Sequence, residues 1–286
     1  MDFDIKRVRS LRFWLGSIEY AIFAVLFAYI VFCGYFIFVS TSGFDYLLGL
    51  AAFLIFLYRL CHTDMKNYDH LPLVDQVNVL FRRDEIHVRK PTETEREIAL
   101  SFFEGKDLEM PTLLTCDSPE RLNAFALRFN NKQLLVVSEL SYWYLSLYDI
   151  WAVFGHEMGH VLHYDLYRLQ IEKWMFEIGA WFSVLAIFKF VVYVLISPFL
   201  IVYSWWVCLL LAASIYGYRR YALPVLPSYL YLIREVLADN TSAQKNKSAM
   251  QMLTCLRTIN EEVEYPDFTL REHALLWICH KENDPS

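Results

Sequence analysis

His156-Glu157-Met158-Gly159-His160 is the stretch that decides how this chain of 286 residues folds around a functional centre. Two histidines four positions apart lie on the same face of a helix, where their imidazoles can share one metal ion. A glutamate directly after the first histidine can then act on a water molecule at that ion. The alternative is a surface helix that happens to carry two imidazoles, so the other parts of a metal site must be sought elsewhere in the chain.

The composition is that of a membrane protein. Hydrophobic residues make up 56% of the chain and aromatic residues 17%, which is too apolar for an ordinary soluble domain. Apolar blocks at residues 17–39 and 46–60 and a longer apolar region at residues 176–218 predict about four transmembrane helices, arranged as two hairpins. The first block lacks the features of a cleavable signal peptide and is predicted to remain as an anchor.

Positive charges predict the orientation of these spans. Both short turns within the hairpins lack lysine and arginine, whereas the other flanks of the spans carry Lys6, Arg7, Arg9, Arg12, Arg59, Lys66, Arg219 and Arg220. By the positive-inside rule, both termini and the histidine motif lie in the cytoplasm. The prediction is therefore a multi-pass protein of a cell membrane, the inner membrane in a bacterium.

Two polar regions remain outside the predicted spans. The predicted division is an N-terminal transmembrane hairpin, the first half of a cytoplasmic domain, a second transmembrane hairpin and the second half of the same domain, at residues 1–65, 66–175, 176–220 and 221–286. Neither half is large enough to bury a good core alone, so we expect both to close into one small α+β domain. Its first half is predicted to contain a helix at residues 95–103, strands at residues 111–115 and 133–137, and a histidine helix that begins near Asp149.

Cysteine spacing and charge exclude other classes of function. The six cysteines form no C-x-x-C pair, so neither a disulfide framework nor a cysteine zinc site is indicated. The net charge is −6, and no basic cluster carries interleaved aromatic residues. The sequence therefore does not predict nucleic-acid binding.

A zinc-peptidase site needs a third protein ligand, with the fourth position left for water. Leu166 stands where the metzincin pattern has a third histidine, so that class is excluded. His163 lies on the face of the histidine pair, but three ligands from one straight helix would have to reach along almost two turns. Glu235 is the better candidate, because Asp239 lies one helical turn later and can accept a hydrogen bond from a ligating histidine. A solvated acidic helix face is the alternative for this pair.

Three motifs follow one another along the chain: Asn123-Ala124-Phe125-Ala126, His156-Glu157-x-x-His160 and Glu235-x-x-Ala238-Asp239. In these motifs and in their order the chain resembles the HtpX-like membrane zinc metalloproteases, relatives of the CAAX prenyl proteases. The resemblance implies a mainly α-helical integral membrane protein with a small cytoplasmic zincin-type, gluzincin-like domain. It also implies one Zn²⁺ per chain, held by His156, His160 and Glu235, with Glu157 as the general base that acts on a zinc-activated water.

The same resemblance implies what the protein acts on. The substrate backbone would lie along the Asn123-Ala124-Phe125-Ala126 segment as an added β-strand, which reads backbone more than side chains. Protein or peptide substrates, damaged or misassembled membrane proteins above all, would then be cleaved at the bilayer surface. Asp165 matches an aspartate that follows the family's zinc helix and is given a supporting role. A narrow processing protease and a non-catalytic, regulatory relative remain alternatives, and the oligomeric state stays open.

The C-terminal tail departs from the family pattern. Members usually carry a His-Pro or similar motif and an arginine there, whereas this chain has Tyr265-Pro266 followed by Arg271 and His273. The group that stabilises the oxyanion is therefore open between His273, Arg271 and Tyr265. Ordinary packing of the tail is the alternative for each of them.

Overall fold

The computed structural model describes residues 5–38, 54, 72–81, 86–117, 124–129, 132–196, 210, 212–263 and 267–279. Within these residues the chain is mostly helical and has one small sheet. The main helices are α1 (Ile5–Phe38), α2 (Leu73–Phe81), α3 (Glu93–Phe103), α4 (Glu139–Tyr144), α5 (Leu147–Leu162), α6 (Asp165–Ile196), α7 (Leu223–Lys245), α8 (Ala249–Val263) and α9 (Phe268–Cys279). The strands are β1 (His87–Arg89), β2 (Thr112–Asp117), β3 (Ala124–Phe129) and β4 (Lys132–Ser138).

The chain divides into two compact units. The first unit consists of Met1–Gly16, Asn67–Leu166 and Leu232–Ser286, and the second of Ser17–Lys66 and Tyr167–Tyr231. The histidine motif and the glutamate motif both belong to the first unit, although the second unit separates them in sequence.

The sheet of the first unit has the strand order β1-β2-β4-β3. The central strands β2 and β4 run parallel, while β1 pairs antiparallel with β2 and β3 pairs antiparallel with β4. In the β3 and β4 pair, Ala126 stands opposite Leu135. Because β3 is at the end of this order, one of its sides is not covered by another strand of the described sheet.

Both faces of the sheet are buried, which explains why β4 reads as an apolar run. Leu134 and Val136 pack on one face with Val77 of α2, whereas Leu135 and Val137 pack on the other face in the main core. This alternation follows from the two-residue period of a strand. The main core also contains Phe102, Phe154, Leu253 and Leu275, which come from α3, α5, α8 and α9.

The helices that precede the histidine motif begin at capping residues. Thr92 and Glu95 form a capping box at the start of α3, and the Ser146 hydroxyl accepts a hydrogen bond from the Asp149 N–H at the start of α5. The helix predicted at residues 95–103 is thus confirmed as α3, and the predicted strands at 111–115 and 133–137 correspond to β2 and β4. The predicted histidine helix is α5, which begins two residues before Asp149.

Among the described residues, one helical segment is long and apolar enough to cross a bilayer. It is Lys6–Tyr35 near the N-terminus. The most apolar stretch of 18 residues in this segment has a mean hydropathy of 2.0, and 11% of its residues are buried. A signal sequence would pass the same test of length and composition. The predicted span at 46–60 lies almost wholly outside the described residues, as does part of the fourth, so the arrangement of four spans stays a prediction.

Candidate active site

The two histidines of the motif meet at their outer ring nitrogens. His156 and His160 lie one turn apart on α5, and their Nε2 atoms are 3.2 Å from each other. Ligand atoms of His156, Glu157 and His160 all lie within 4.8 Å of one another. His156 is 9% exposed and Glu157 6% exposed, so this cluster is set into the protein and is not on its surface.

Glu235 of α7 closes the third side of the cluster. Its Oε2 lies 3.4 Å from Nε2 of His156, and its Oε1 lies 3.5 Å from Nε2 of His160. Zinc bonds of about 2.0–2.2 Å at tetrahedral angles would separate two ligand atoms by about 3.3–3.6 Å. The two Glu235 contacts, each made by a different oxygen, lie within this range and the Nε2–Nε2 distance of 3.2 Å lies just below it, so the donor set has the type and size to hold a zinc ion.

The inner nitrogens of both histidines contact aspartates. Nδ1 of His156 lies 2.8 Å from Oδ1 of Asp239, and Nδ1 of His160 lies 2.8 Å from Oδ2 of Asp165. A proton held at Nδ1 leaves the lone pair on Nε2, which is the form of histidine that binds a metal. Asp239 and Asp165 therefore both orient the imidazoles toward the common centre.

Arg271 of α9 joins the two acidic residues of α7. Its Nε and Nη2 donate to the two carboxylate oxygens of Asp239, each at 2.7 Å, and its Nη1 lies 3.0 Å from Oε2 of Glu235. Arg271 is 4% exposed, so these ion pairs lie in the protein interior. Such a two-point contact between guanidinium and carboxylate fixes the orientation of both groups.

Glycines bring α5 and α7 close together. A Cβ atom on Gly159 would lie 2.6 Å from the Cα of Ala238, and one on Gly155 would lie 2.9 Å from the Cα of Ser242. Real Cβ atoms do not approach backbone so closely, so any side chain at these positions would push the helices apart. The small residues thus set the distance between the histidine pair and Glu235.

Glu157 contacts the edge strand of the sheet. The backbone N–H of Ala126 donates a 2.7 Å hydrogen bond to Oε2 of Glu157. Ala124, Phe125 and Ala126 of the predicted substrate segment lie in β3, and Asn123 lies outside the described residues. The structure therefore places the candidate base beside the strand that was predicted to bind substrate.

The charges around the cluster favour a cation. Burial opposes the charged form of every group here, yet hydrogen bonds with Asp239 and Glu235 raise the pKa of His156 above its usual value. Against the same effect of burial, His156 and Arg271 lower the pKa of Glu235 and Asp239 to about 2. Burial raises the pKa of Glu157, and the nearby histidines and the Ala126 N–H only partly offset it.

The remaining predicted residues occupy different positions. His273 is exposed on α9, and Tyr265 lies outside the described residues. His163 follows directly after α5, where its Nε2 lies 2.9 Å from the hydroxyl of Thr241. The choice of oxyanion stabiliser between His273, Arg271 and Tyr265 stays a prediction, although Arg271 already faces carboxylates with its nitrogen atoms.

Comparison with known families decides the class of protein. The family model of Peptidase family M48 matches residues 92–262, which is more than half of the chain and includes both motif helices. The chain belongs to peptidase family M48. This family contains the HtpX-like proteases and relatives of the CAAX proteases, so the resemblance found in the sequence is confirmed. A search of curated proteins finds no match.

Membership of family M48 indicates a metallopeptidase, and the donor set described above agrees with it. Sequence reasoning on this M48 chain missed the contacts that Arg271 and the Ala126 N–H make. The arginine gave only a weak signal, because a single charged residue in a tail has no spacing that pairs it with Asp239. The Gly155-x-x-x-Gly159 spacing was missed as well, although small residues four positions apart are a pattern that allows close helix packing.

Proposed function

We propose that this M48 chain is a membrane-integral zinc endopeptidase that cleaves damaged or misfolded proteins, chiefly membrane proteins, at the cytoplasmic face. The observation that carries the proposal is the convergence of donors from His156, His160 and Glu235, whose separations of 3.2, 3.4 and 3.5 Å are close to the edge length of a zinc tetrahedron. The candidate base Glu157 lies beside them in the same buried cluster.

Zinc held by these three residues would polarise a water molecule and the carbonyl of the substrate. Glu157 would accept a proton from the attacking water and pass it to the leaving amine. Its Oε2 is held by the Ala126 N–H, which leaves Oε1 to take the proton. Asp239 and Asp165 would keep the histidines in the binding tautomer throughout.

The edge strand β3 supports an extended substrate. A peptide added beside β3 would pair with backbone groups on its open side, and such pairing tolerates many side chains. Ala124 and Ala126 have small side chains that pack toward the core that contains α5, whereas Phe125 and Leu127 pack on the opposite face. Broad specificity follows from recognition through backbone, which suits the removal of damaged proteins.

The bilayer is the second expected partner. The segment Lys6–Tyr35 has the length and hydropathy of an anchor, and the other apolar regions are proposed to complete two hairpins with the site on the cytoplasmic side. A peptidase attached in this way would meet membrane substrates at the surface of the bilayer. A reporter fused after Ser286 should appear on the cytoplasmic side, and its appearance outside would overturn this topology.

The activity is tested with the full chain purified in detergent. A loosely folded protein and added Zn²⁺ are incubated with the parent and with Glu157→Gln, which keeps the ligands but loses the base. Cleavage by the parent alone, with about one zinc bound per chain in both, is the expected result. Equal cleavage by both would indicate a contaminant, and zinc binding without cleavage by either would favour the non-catalytic alternative.

A further inference from the structure

The basic residues near the N-terminus make contacts that their predicted role in membrane orientation does not explain. In the sequence they indicate orientation in the membrane, but in the structure residues 5–12, the first turns of α1, belong to the unit that contains the site. We propose that this segment, here called the N-terminal brace, holds the two ligand helices α5 and α7 in register, and that Arg12 is a positioning residue of the metal site. This proposal rests on the proposed function, because the residues that the brace positions are the proposed zinc ligands.

The brace is part of the core of this unit. Val8 is 2% exposed and belongs to the same cluster as Phe154 and Met158 of α5. The backbone carbonyl of Val8 accepts a 3.2 Å hydrogen bond from Nδ2 of Asn240, the residue after Asp239. Since Asn240 is 1% exposed, this bond is shielded from water.

Arg12 connects the ends of two helices. Its Nη2 lies 3.1 Å from Nε2 of His163 and 3.2 Å from the hydroxyl oxygen of Thr241. His163 comes three residues after the ligand His160, and Thr241 comes two residues after Asp239. Because a guanidinium only donates, Nε2 of His163 must accept, and the three groups form one hydrogen-bonded junction.

A second contact fixes the brace at its other end. Nη1 of Arg7 donates a 2.9 Å hydrogen bond to the carbonyl of Trp277 in α9, and the guanidinium lies 5.4 Å from the centre of the Trp277 ring. The helix α9 also carries Arg271, which holds Asp239 and Glu235. The brace therefore contacts both α7, which carries Glu235 and Asp239, and α9, which carries Arg271.

Metal binding is sensitive to such contacts because the ligands come from separate helices. A displacement of α7 along α5 would change the distances between Glu235 and the two Nε2 atoms. The brace overlaps the start of the apolar segment Lys6–Tyr35 of the proposed anchor, and the same α-helix continues beyond it. On this proposal, the N-terminal brace and the proposed anchor belong to one helix, so that the helix that would attach the protein to the membrane also positions the metal site.

The test compares two arginines of the same helix in the full chain in detergent. Arg12→Ala removes the junction, whereas Arg9→Ala removes an equal charge from an exposed position on the same turns. We expect Arg12→Ala to weaken zinc binding about fivefold to tenfold in chelator competition and to change the absorption spectrum of bound Co²⁺. Arg9→Ala should leave both unchanged, and Arg12→Lys should restore part of the affinity.

Two further measurements keep the outcome decisive. Thr241→Val keeps the shape of the side chain but removes the hydroxyl, and it should weaken zinc binding in the same direction as Arg12→Ala. Hydrogen exchange at residues 237–241 is measured without metal and should become faster in Arg12→Ala but not in Arg9→Ala.

Equal affinities and equal exchange in the two arginine variants would overturn the positioning role of Arg12. Equal losses in both would assign the effect to charge alone and would overturn it as well. If the parent binds no zinc, the proposed function fails, while the exchange data still decide whether the brace holds α7.

Discussion

The N–H of Ala126 donates directly to Oε2 of Glu157, at 2.7 Å, across 31 positions of the sequence. An N–H that reaches Glu157 is not donating to β4, so Ala126 occupies a position in the antiparallel pair whose donor faces the open side of the strand. The edge strand thus has two separable roles: its inward groups bind β4, and this outward group orients the candidate base.

Ala126→Pro should therefore reduce cleavage without disrupting the pairing of β3 with β4. Proline lacks the N–H but is tolerated at edge positions that face away from the neighbouring strand. A hydrogen bond to a charged group contributes about 1.5–3 kcal/mol, so kcat/KM should fall roughly tenfold to a hundredfold. Ala126→Gly keeps the N–H and serves as the control, and zinc content should be unchanged in both. Equal activity of the two variants would show that the bond does not orient the base.

Gly159→Ala should weaken zinc binding by separating the two ligand helices. The added methyl group would meet the backbone of Ala238 at 2.6 Å, and such overpacking costs about 1–3 kcal/mol. The control is Gly16→Ala, because a Cβ at Gly16 has nothing within 4 Å. Zinc affinity should fall for Gly159→Ala only, and the unfolding temperature in detergent should fall for Gly159→Ala, whereas Gly16→Ala should not lower it. A normal zinc affinity in that variant would mean that the helix contact does not set the ligand distances.

Arg271→Met should destabilise the protein more than the double variant Arg271→Met with Asp239→Asn. Removing one partner of a buried ion pair leaves an uncompensated charge, which costs about 3–5 kcal/mol. Replacing both partners removes that buried charge, although Glu235 still lacks its contact at 3.0 Å. A double-mutant cycle on the free energy of unfolding measures the coupling. Additive effects would show that Arg271 and Asp239 do not stabilise each other.

Asp165→Asn should lower zinc affinity roughly tenfold to a hundredfold while the fold is kept, because the histidine loses a charged acceptor at Nδ1. The change is close to isosteric, and Asp165 is 2% exposed, so packing is preserved. Chelator competition measures the affinity. Asp149→Asn, which lies before the motif at the exposed start of α5, is the control that should bind zinc as the parent does.

Glu95 should make stability depend on acid pH away from the metal site. Burial alone would raise the pKa of Glu95, but hydrogen bonds from Arg89, Thr92 and Thr115 outweigh it and lower the pKa. A lowered folded-state pKa adds stability above the unfolded value of about 4.3, and this stability is lost as pH falls through the folded value. Glu95→Gln should lower the unfolding temperature at neutral pH and flatten its decline in acid. An unchanged acid profile in the variant would exclude Glu95 as a contributor.

The sequence by itself determined the features that depend on local spacing. Histidines at i and i+4 must share a helix face, Glu235 and Asp239 must do the same, and β2 and β4 are short apolar runs between turn residues. The predicted positions of α3, α5 and the central strands followed from these patterns, and the order of the motifs was enough to indicate the family.

Only the tertiary structure decided which of these local features meet. His156 and Asp239 are 83 positions apart, Asp239 and Arg271 are 32 apart, and Arg12 lies 229 positions from Thr241. No periodic pattern connects such residues, because their contacts arise from the packing of helices around a common core and not from the geometry of one helix. The close approach of α5 and α7 at Gly159 and Ala238 and the direction of the Ala126 N–H are set in the same way. The local sequence pattern determined which residue types form the site, and the packing of the core determined the distances between their side chains.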